Sequence, residues 1–305
     1  MTVTEAVRCD GLTVSYDGSR GIVDVDLDIP TGEVFGFLGP NGAGKTTTIR
    51  VLLDLLRPSS GRAAVLGLDS VRDSMAIRAR TGYLPGDLSL PSGLTGTEVL
   101  DWLSSLRPGN PPVRRDELVE RFAVQVDRPM KQLSKGNRQK IGLVQAFQHA
   151  PEMVILDEPT GGLDPLVQDE FHRFVRQYVA DGGTVFLSSH SLDEVQHTAD
   201  RVGIIRDGRL VTVETVDALR GRGLRRVSVT VGSGTGESAE ARLRSTDGVA
   251  DLHRRGDLLE FAIAGDYAPV LAVLGTMPVI DLLSRAADLD EVFLELYRGD
   301  DGAAT

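Results

Sequence analysis

Apolar residues change their spacing several times along this chain, and each change marks an element. Up to residue 32, short β-like runs alternate with turn signals: Leu12 to Ser15, the Asp17-Gly18 turn, Val23 to Ile29, then Pro30-Thr31-Gly32. They predict an antiparallel β subdomain. Glu33 to Leu38 follows as an apolar strand and runs into a glycine-rich loop. Beyond the loop, Ile49, Leu52, Leu53 and Leu56 predict a helix over Thr46 to Arg57, stopped by Pro58.

Between residues 91 and 150 the helical period dominates, as in Val99, Trp102, Leu103 and Leu106, broken by the Pro108-Gly109-Asn110-Pro111-Pro112 loop. This reads as a helical insertion, with Trp102 in its core. Then come a strand at Met153 to Leu156, a helix over Pro165 to Ala180, a strand at Thr184 to Leu187 and a helix from Leu192. Ser191 and Glu194 have the spacing of a capping box at the start of that last helix. The βαβ alternation implies a parallel sheet covered by helices, so the fold class is α/β. Arg201 to Arg206 and Arg209 to Val213, joined by Asp207-Gly208, read as a hairpin.

Gly221 to Gly223 reads as a linker between a first domain, 1–220, and an accessory domain, 221–305. In the second, Val227 to Val231, Glu237 to Leu243, Val249 to His253, Leu258 to Ile263, Tyr267 to Leu274 and Val279 to Ser284 suggest β, α, β, β, α, β. That is the order of a ferredoxin-like split βαβ unit, small and α+β, with Asp290 to Tyr297 as a closing helix.

Composition narrows the class. The 305 residues allow one large domain plus an appendage, and 41% hydrophobic with 25% charged residues is the balance of a soluble globular protein. Apolar runs such as Met153 to Leu156 are far short of the roughly 20 residues of a membrane-spanning helix. The N-terminal MTVTEAVRCD has no basic stretch followed by an apolar one, so no secretory signal is read there and the chain is expected in the cytosol. Cys9 is the only cysteine, which excludes an intrachain disulfide. A formal charge of -11 argues against nucleic acid as a partner.

The strongest chemical signal is the run Gly39, Pro40, Asn41, Gly42, Ala43, Gly44, Lys45, Thr46, Thr47, which has the P-loop pattern between a strand and a helix. Its backbone N–H groups curl around phosphate oxygens and the helix start adds partial positive charge. Lys45 then reaches the β and γ phosphates and Thr46 binds Mg²⁺. Val154-Ile155-Leu156 delivers Asp157 and Glu158 at a strand's C-terminal end, the edge where open α/β sheets place ligands. Asp157 is suited to hold Mg²⁺ and Glu158 to polarise an attacking water. A third run, Leu133-Ser134-Lys135-Gly136-Asn137-Arg138-Gln139, opens a helix with a serine and a glycine, which alone is as compatible with a plain N-cap as with an anion site.

The order of these three runs, followed by Gly162-Leu163-Asp164 and Ser188-Ser189-His190, resembles the nucleotide-binding domain of ABC transporters over residues 5 to 215. The resemblance implies a P-loop NTPase cassette with antiparallel β and helical subdomains. It implies ATP and Mg²⁺, ATP hydrolysis, and a dimer of ATP-binding subunits in which each chain completes its partner's site. It makes Tyr16 the aromatic residue that stacks on adenine. Ser134, Gly136 and Asn137 become the signature that meets the partner's γ-phosphate, Asp164 a residue across that interface, and His190 the switch histidine beside Glu158. A separate membrane permease would hold the chain peripherally at the cytoplasmic face of the membrane, its coupling helix received in a groove near Gly86 to Pro91 and the helical insertion, with Trp102 and Leu106 the candidates to line it unless they belong to the insertion's core. More narrowly, Gly82 to Gly86, the appendage and Leu289-Asp290-Glu291-Val292-Phe293-Leu294 resemble ATPase subunits of ABC-2 type exporters, including antibiotic-resistance pumps of the daunorubicin-resistance kind.

Three positions depart from the family. Gly86 stands where most members carry a glutamine that touches Mg²⁺, and Asp87 is the candidate to replace it. Asn137 in place of glutamine keeps an amide, and Lys135 in place of glycine adds a charge. The intact motif set favours a homodimer with two working sites, and the narrower resemblance favours an exporter. An importer subunit, a non-transport ABC ATPase and a nucleotide-gated switch without turnover are the alternatives, and phosphate release separates the last from the rest.

Overall fold

In the computed structural model, which describes residues 5–16, 19–222, 225–263 and 266–285, β1 (Glu5–Tyr16) and β2 (Ser19–Pro30) pair antiparallel. β3 (Val34–Leu38) is buried at every residue and leads through the glycine-rich loop into α1 (Lys45–Leu52). That helix is shorter than the predicted Thr46 to Arg57. Asp54 turns left-handed at φ 54°, ending the helical run before Pro58 is reached. β4 (Ser60–Val65) and β5 (Leu68–Asp69) then extend the first sheet in the order β2-β1-β4-β5. The Ser60-Gly61-Arg62 start of β4 has no apolar side chain and so no β-like alternation, and only half of this subdomain was legible.

α2 (Ser74–Arg80) and β6 (Thr81–Leu84) precede the helical insertion of α3 (Gly96–Ser105), α4 (Arg115–Arg121) and α5 (Lys135–Phe147). α3 starts with a complete capping box, the Thr95 hydroxyl accepting from the Glu98 N–H and the Glu98 carboxylate from the Thr95 N–H. Trp102 does not enter the core as expected: α3 buries the stripe Gly96, Val99 and Leu100, and Trp102, off that stripe, is 47% exposed.

β7 (Met153–Asp157), α6 (Pro165–Ala180), β8 (Thr184–Ser189), α7 (Leu192–Thr198), β9 (Arg201–Arg206) and β10 (Arg209–Thr215) complete the central sheet. Its order is β10-β9-β3-β8-β7-β6, parallel from β9 to β6 with β10 antiparallel at the edge. β3, β7 and β8 are buried throughout, as a sheet covered on both faces requires. Phe186 meets Phe35 and Phe37 at ring separations of 5.8 and 5.4 Å, which fills the space beside these strands. The Asp207-Gly208 turn has positive φ at both residues, the geometry that matches a two-residue hairpin to strand twist.

The chain divides into two compact units, Met1–Val216 and Asp217–Thr305. Gly221, read as part of a linker, lies in the last turn of α8 (Val216–Arg222), whose Val216 and Leu219 are buried at helical spacing. Gly223 lies outside the described residues, as do the Asp17-Gly18 turn and the predicted Asp290 to Tyr297 helix. The second unit runs β11 (Arg225–Val231), α9 (Gly236–Arg244), β12 (Val249–Arg255), β13 (Leu258–Ile263), α10 (Ala268–Leu274) and β14 (Val279–Arg285). Its sheet has the order β12-β13-β11-β14 with every neighbouring pair antiparallel. Val227, Val229 and Phe261 pack there against Leu243 and Leu274 of the two helices.

Candidate nucleotide-hydrolysis site

Four parallel strands, β3, β6, β7 and β8, deliver their C-terminal ends to one place. The loop after β3 holds its curl through Gly44, whose φ is 112° and where a Cβ would lie 2.6 Å from Ile22 Cγ2. Lys45, 6% exposed, donates from Nζ to the Gly39 and Pro40 carbonyls at 2.6 and 3.2 Å and stands 3.5 Å from Glu158 Oε1. A buried ammonium held by loop carbonyls and one carboxylate is placed for an incoming phosphate.

Asp157 ends β7 and is 2% exposed. Its Oδ2 accepts from Thr46 Oγ1 at 2.7 Å and its Oδ1 from the Ser188 hydroxyl. A hydroxyl and a carboxylate meeting at the start of α1 are hard oxygen donors, a set that would suit Mg²⁺. Glu158 follows with φ 53°, a left-handed conformation uncommon for a side-chain-bearing residue, and its N–H donates to the Ser188 carbonyl at 3.1 Å. This turn aims the carboxylate at His190, whose Nδ1 lies 2.5 Å from Glu158 Oε2. Gln139 Nε2 fixes the loop from behind, donating to the Pro159 carbonyl at 2.9 Å. A carboxylate paired with an imidazole at that distance can take a proton from water and share the resulting charge.

The cleft measures about 570 Å³ and is lined by Pro40, Asn41, Gly42, Gly44, Lys45, Thr46, Thr47, Gly86, Asp87, Asp157, Glu158 and His190. Of the remaining loop residues, Gly39 donates its N–H to the Ser189 carbonyl at 3.2 Å and Ala43 is buried. A Cβ on Gly86 would sit 3.2 Å from Asp157 Oδ2, so the chain passes directly against the carboxylate at the position where a side chain is missing. Arg50 and Tyr83 also line the cleft and escaped the sequence reading. Arg50 follows Thr46 by one helical turn, a spacing that offered the signal. Burial and the nearby Asp157 charge push the Tyr83 phenol up to about 12.

Ser134, Asp164 and Tyr16 stand outside this cleft. Ser134 is exposed and caps α5, accepting from the Asn137 N–H at 3.1 Å, and Asp164 is exposed and caps α6, accepting from the Val167 N–H at 3.1 Å. Asn137 does not present its amide outward with them. It is 7% exposed, and its amide both donates to the Gln125 carbonyl at 2.8 Å and accepts from the Gln125 N–H at 2.9 Å. Gly136, between Ser134 and Asn137, is half-buried. Tyr16 is 39% exposed, its hydroxyl 3.3 Å from Thr47 Oγ1. The Ser191 and Glu194 capping box is only half formed: Ser191 accepts from the Glu194 N–H, but the Glu194 carboxyl turns to Ser189 instead.

Residues 22–161 match the family model described as ABC transporter. The chain is 36% identical to the daunorubicin resistance ATP-binding protein DrrA3 of Streptomyces coeruleorubidus, over 97% of this chain and 96% of that protein. A solved ATP-binding subunit of an ABC transporter superposes with a TM-score of 0.65 at 28% identity, over 70% of this chain and 92% of the other. A dimeric ATP-binding cassette in a post-hydrolysis state with ADP and phosphate shares the fold, with a TM-score of 0.63 at 21% identity over 69% of this chain and 98% of that one.

Proposed function

Because the chain belongs to the ATP-binding subunits of ABC transporters, which hydrolyse ATP to drive transport, we propose that two copies close around two ATP molecules and power export through a separately encoded permease at the cytoplasmic face of the membrane. The observation that carries this reading is the division of the site. Thr46, Asp157, Glu158 and His190 gather around the P-loop, while Ser134 and Asp164 sit exposed outside the lining, beyond Lys135 and Gly161 at its edge. A chain that keeps part of its phosphate contacts outside its own cleft needs a second chain to complete each site.

In this reading Lys45 and the loop N–H groups hold the β and γ phosphates and Tyr16 packs on the base. Thr46 and Asp157 hold Mg²⁺, which when bound offsets negative charge on the phosphates. Water attacks the γ-phosphorus and its proton passes to Glu158. The bond to the bridging oxygen breaks and leaves its electron pair on ADP. His190 keeps the Glu158 carboxylate aimed and steadies it once protonated. Release of phosphate removes the bridge between the chains, and the dimer opens.

Export is supported by the drug-resistance relative. A permease contact is supported by an apolar groove on the cassette unit, lined by Met75, Leu103, Leu106 and Arg107, in which Met75 is 75% and Leu106 61% exposed. Among the described residues no helix is long and apolar enough to cross a membrane. Phosphate release with Mg²⁺, measured alone and with the permease reconstituted in vesicles, is expected to rise several-fold on pairing. ATP binding without release in either condition would leave only a nucleotide-gated switch.

Asp87 lines the cleft with Gly86, Thr46 and Asp157, which supports its taking over the missing family contact. Asp87→Ala is expected to raise the Mg²⁺ concentration needed for half-maximal turnover by roughly 2- to 5-fold, the scale of one exposed carboxylate contact. An unchanged Mg²⁺ dependence in a folded Asp87→Ala would remove that role.

A further inference from the structure

Glu194 is a buried carboxyl that the hydrolysis scheme does not use. It lies in the first turn of α7 and is 9% exposed, which is rare for a glutamate. Its Oε2 accepts from the Ser189 hydroxyl at 2.6 Å, and that same hydroxyl oxygen accepts from the Ser191 N–H at 2.9 Å. Both neighbours of His190 are therefore tied to one carboxyl. The Ser189 carbonyl in turn accepts from the N–H of Gly39, the first P-loop residue, at 3.2 Å.

His190 needs such support. Its side chain is 60% exposed, so little packing fixes the ring that meets Glu158 at 2.5 Å. The turn between β8 and α7 sets its direction, and the turn is only as rigid as the Ser189, Ser191 and Glu194 cluster. Burial and the Glu158 charge push the Glu194 carboxyl above the usual carboxylate range, against the Ser189 and Thr160 hydroxyls and His190. The other carboxyl oxygen, Oε1, is buried with no hydrogen-bond partner among the described residues.

We propose that Glu194 is a positioning residue for hydrolysis: through Ser189 it fixes the turn that carries His190, and so sets the approach of the imidazole to Glu158. The proposal rests on the reading of Glu158 and His190 as the hydrolytic pair. A half-formed capping box is its visible trace, because the carboxyl that would have capped α7 holds the turn before it.

The test is kcat and KM for ATP in the full chain with Mg²⁺. Glu194→Ala is expected to lower kcat roughly 10-fold or more, the cost of a small misplacement of reacting groups, with KM and nucleotide binding held within about twofold. Glu194→Gln keeps an oxygen for the Ser189 hydroxyl and should recover most of that loss. In a His190→Ala background, Glu194→Ala should cost nothing further, since its effect passes through the imidazole. Losses that add in the double variant would overturn the proposal. So would a glutamine variant as impaired as the alanine one, or ATP binding that falls in step with kcat. Full turnover in both Glu158→Gln and His190→Ala would instead remove the hydrolytic pair itself, and Glu194's role with it.

Discussion

With glutamine in place of Glu158, phosphate release falls by roughly 10²-fold or more, the scale of losing a positioned general base, while ATP and Mg²⁺ still bind. The amide has nearly the shape of the carboxylate, so the left-handed turn at φ 53° and the Ser188 anchor have no reason to move. What changes is chemistry. The amide cannot take a proton from water, and the close Nδ1 contact with His190 loses its charge. Thr46, Asp157 and the loop are untouched, so the nucleotide remains. Single-turnover phosphate release beside equilibrium nucleotide binding separates the two steps, and a variant that turns over at the wild-type rate would move the base elsewhere.

Lys45→Ala has the opposite signature: ATP binding is weakened roughly 30-fold or more, and turnover falls because the site stays unfilled. The ammonium is buried and already held by two carbonyls and the Glu158 carboxylate. Losing one partner of a buried charged contact costs about 2 kcal/mol or more, which sets that fold-change. Alanine also leaves the Gly39 and Pro40 carbonyls facing phosphate with no cation between them, a repulsive arrangement. Titration with a fluorescent ATP analogue measures it directly. Unchanged affinity in the variant would mean that the loop N–H groups alone carry phosphate recognition.

The cleft was legible because its residues obey local rules. A P-loop must follow a strand and open a helix, and Asp157 and Glu158 must stand at a strand's end, so Lys45, Thr46, Asp157 and Glu158 could be placed from spacing. Parallel strands buried on both faces write themselves as apolar runs, which is why β3, β7 and β8 were found. Residues whose roles depend on tertiary partners were not. Nothing local tells that Asn137 turns its amide inward to Gln125, or that Trp102 falls off the buried stripe of α3. β4 was missed because its first three residues carry no apolar side chain and it pairs with β1 across a long stretch of chain. Glu194 was read as a cap because sequence spacing sees Ser191 but not the Ser189 hydroxyl two residues before it.

ATP-dependent pairing of two chains is the centre of this account, and mass in solution tests it most directly. Glu158→Gln, which holds ATP without consuming it, is sedimented with and without Mg²⁺-ATP, beside the same variant carrying Ser134→Arg. Ser134 is exposed at the N-cap of α5, so the arginine blocks the interface at the cost of that cap, about 1 kcal/mol, and the variant's fold is checked by its unchanged nucleotide loading. The predicted result is the mass of two chains with nucleotide, of one chain without it, and of one chain in the Ser134→Arg variant under both conditions. A single-chain mass at saturating Mg²⁺-ATP, in a variant shown to be fully loaded with nucleotide, would contradict it.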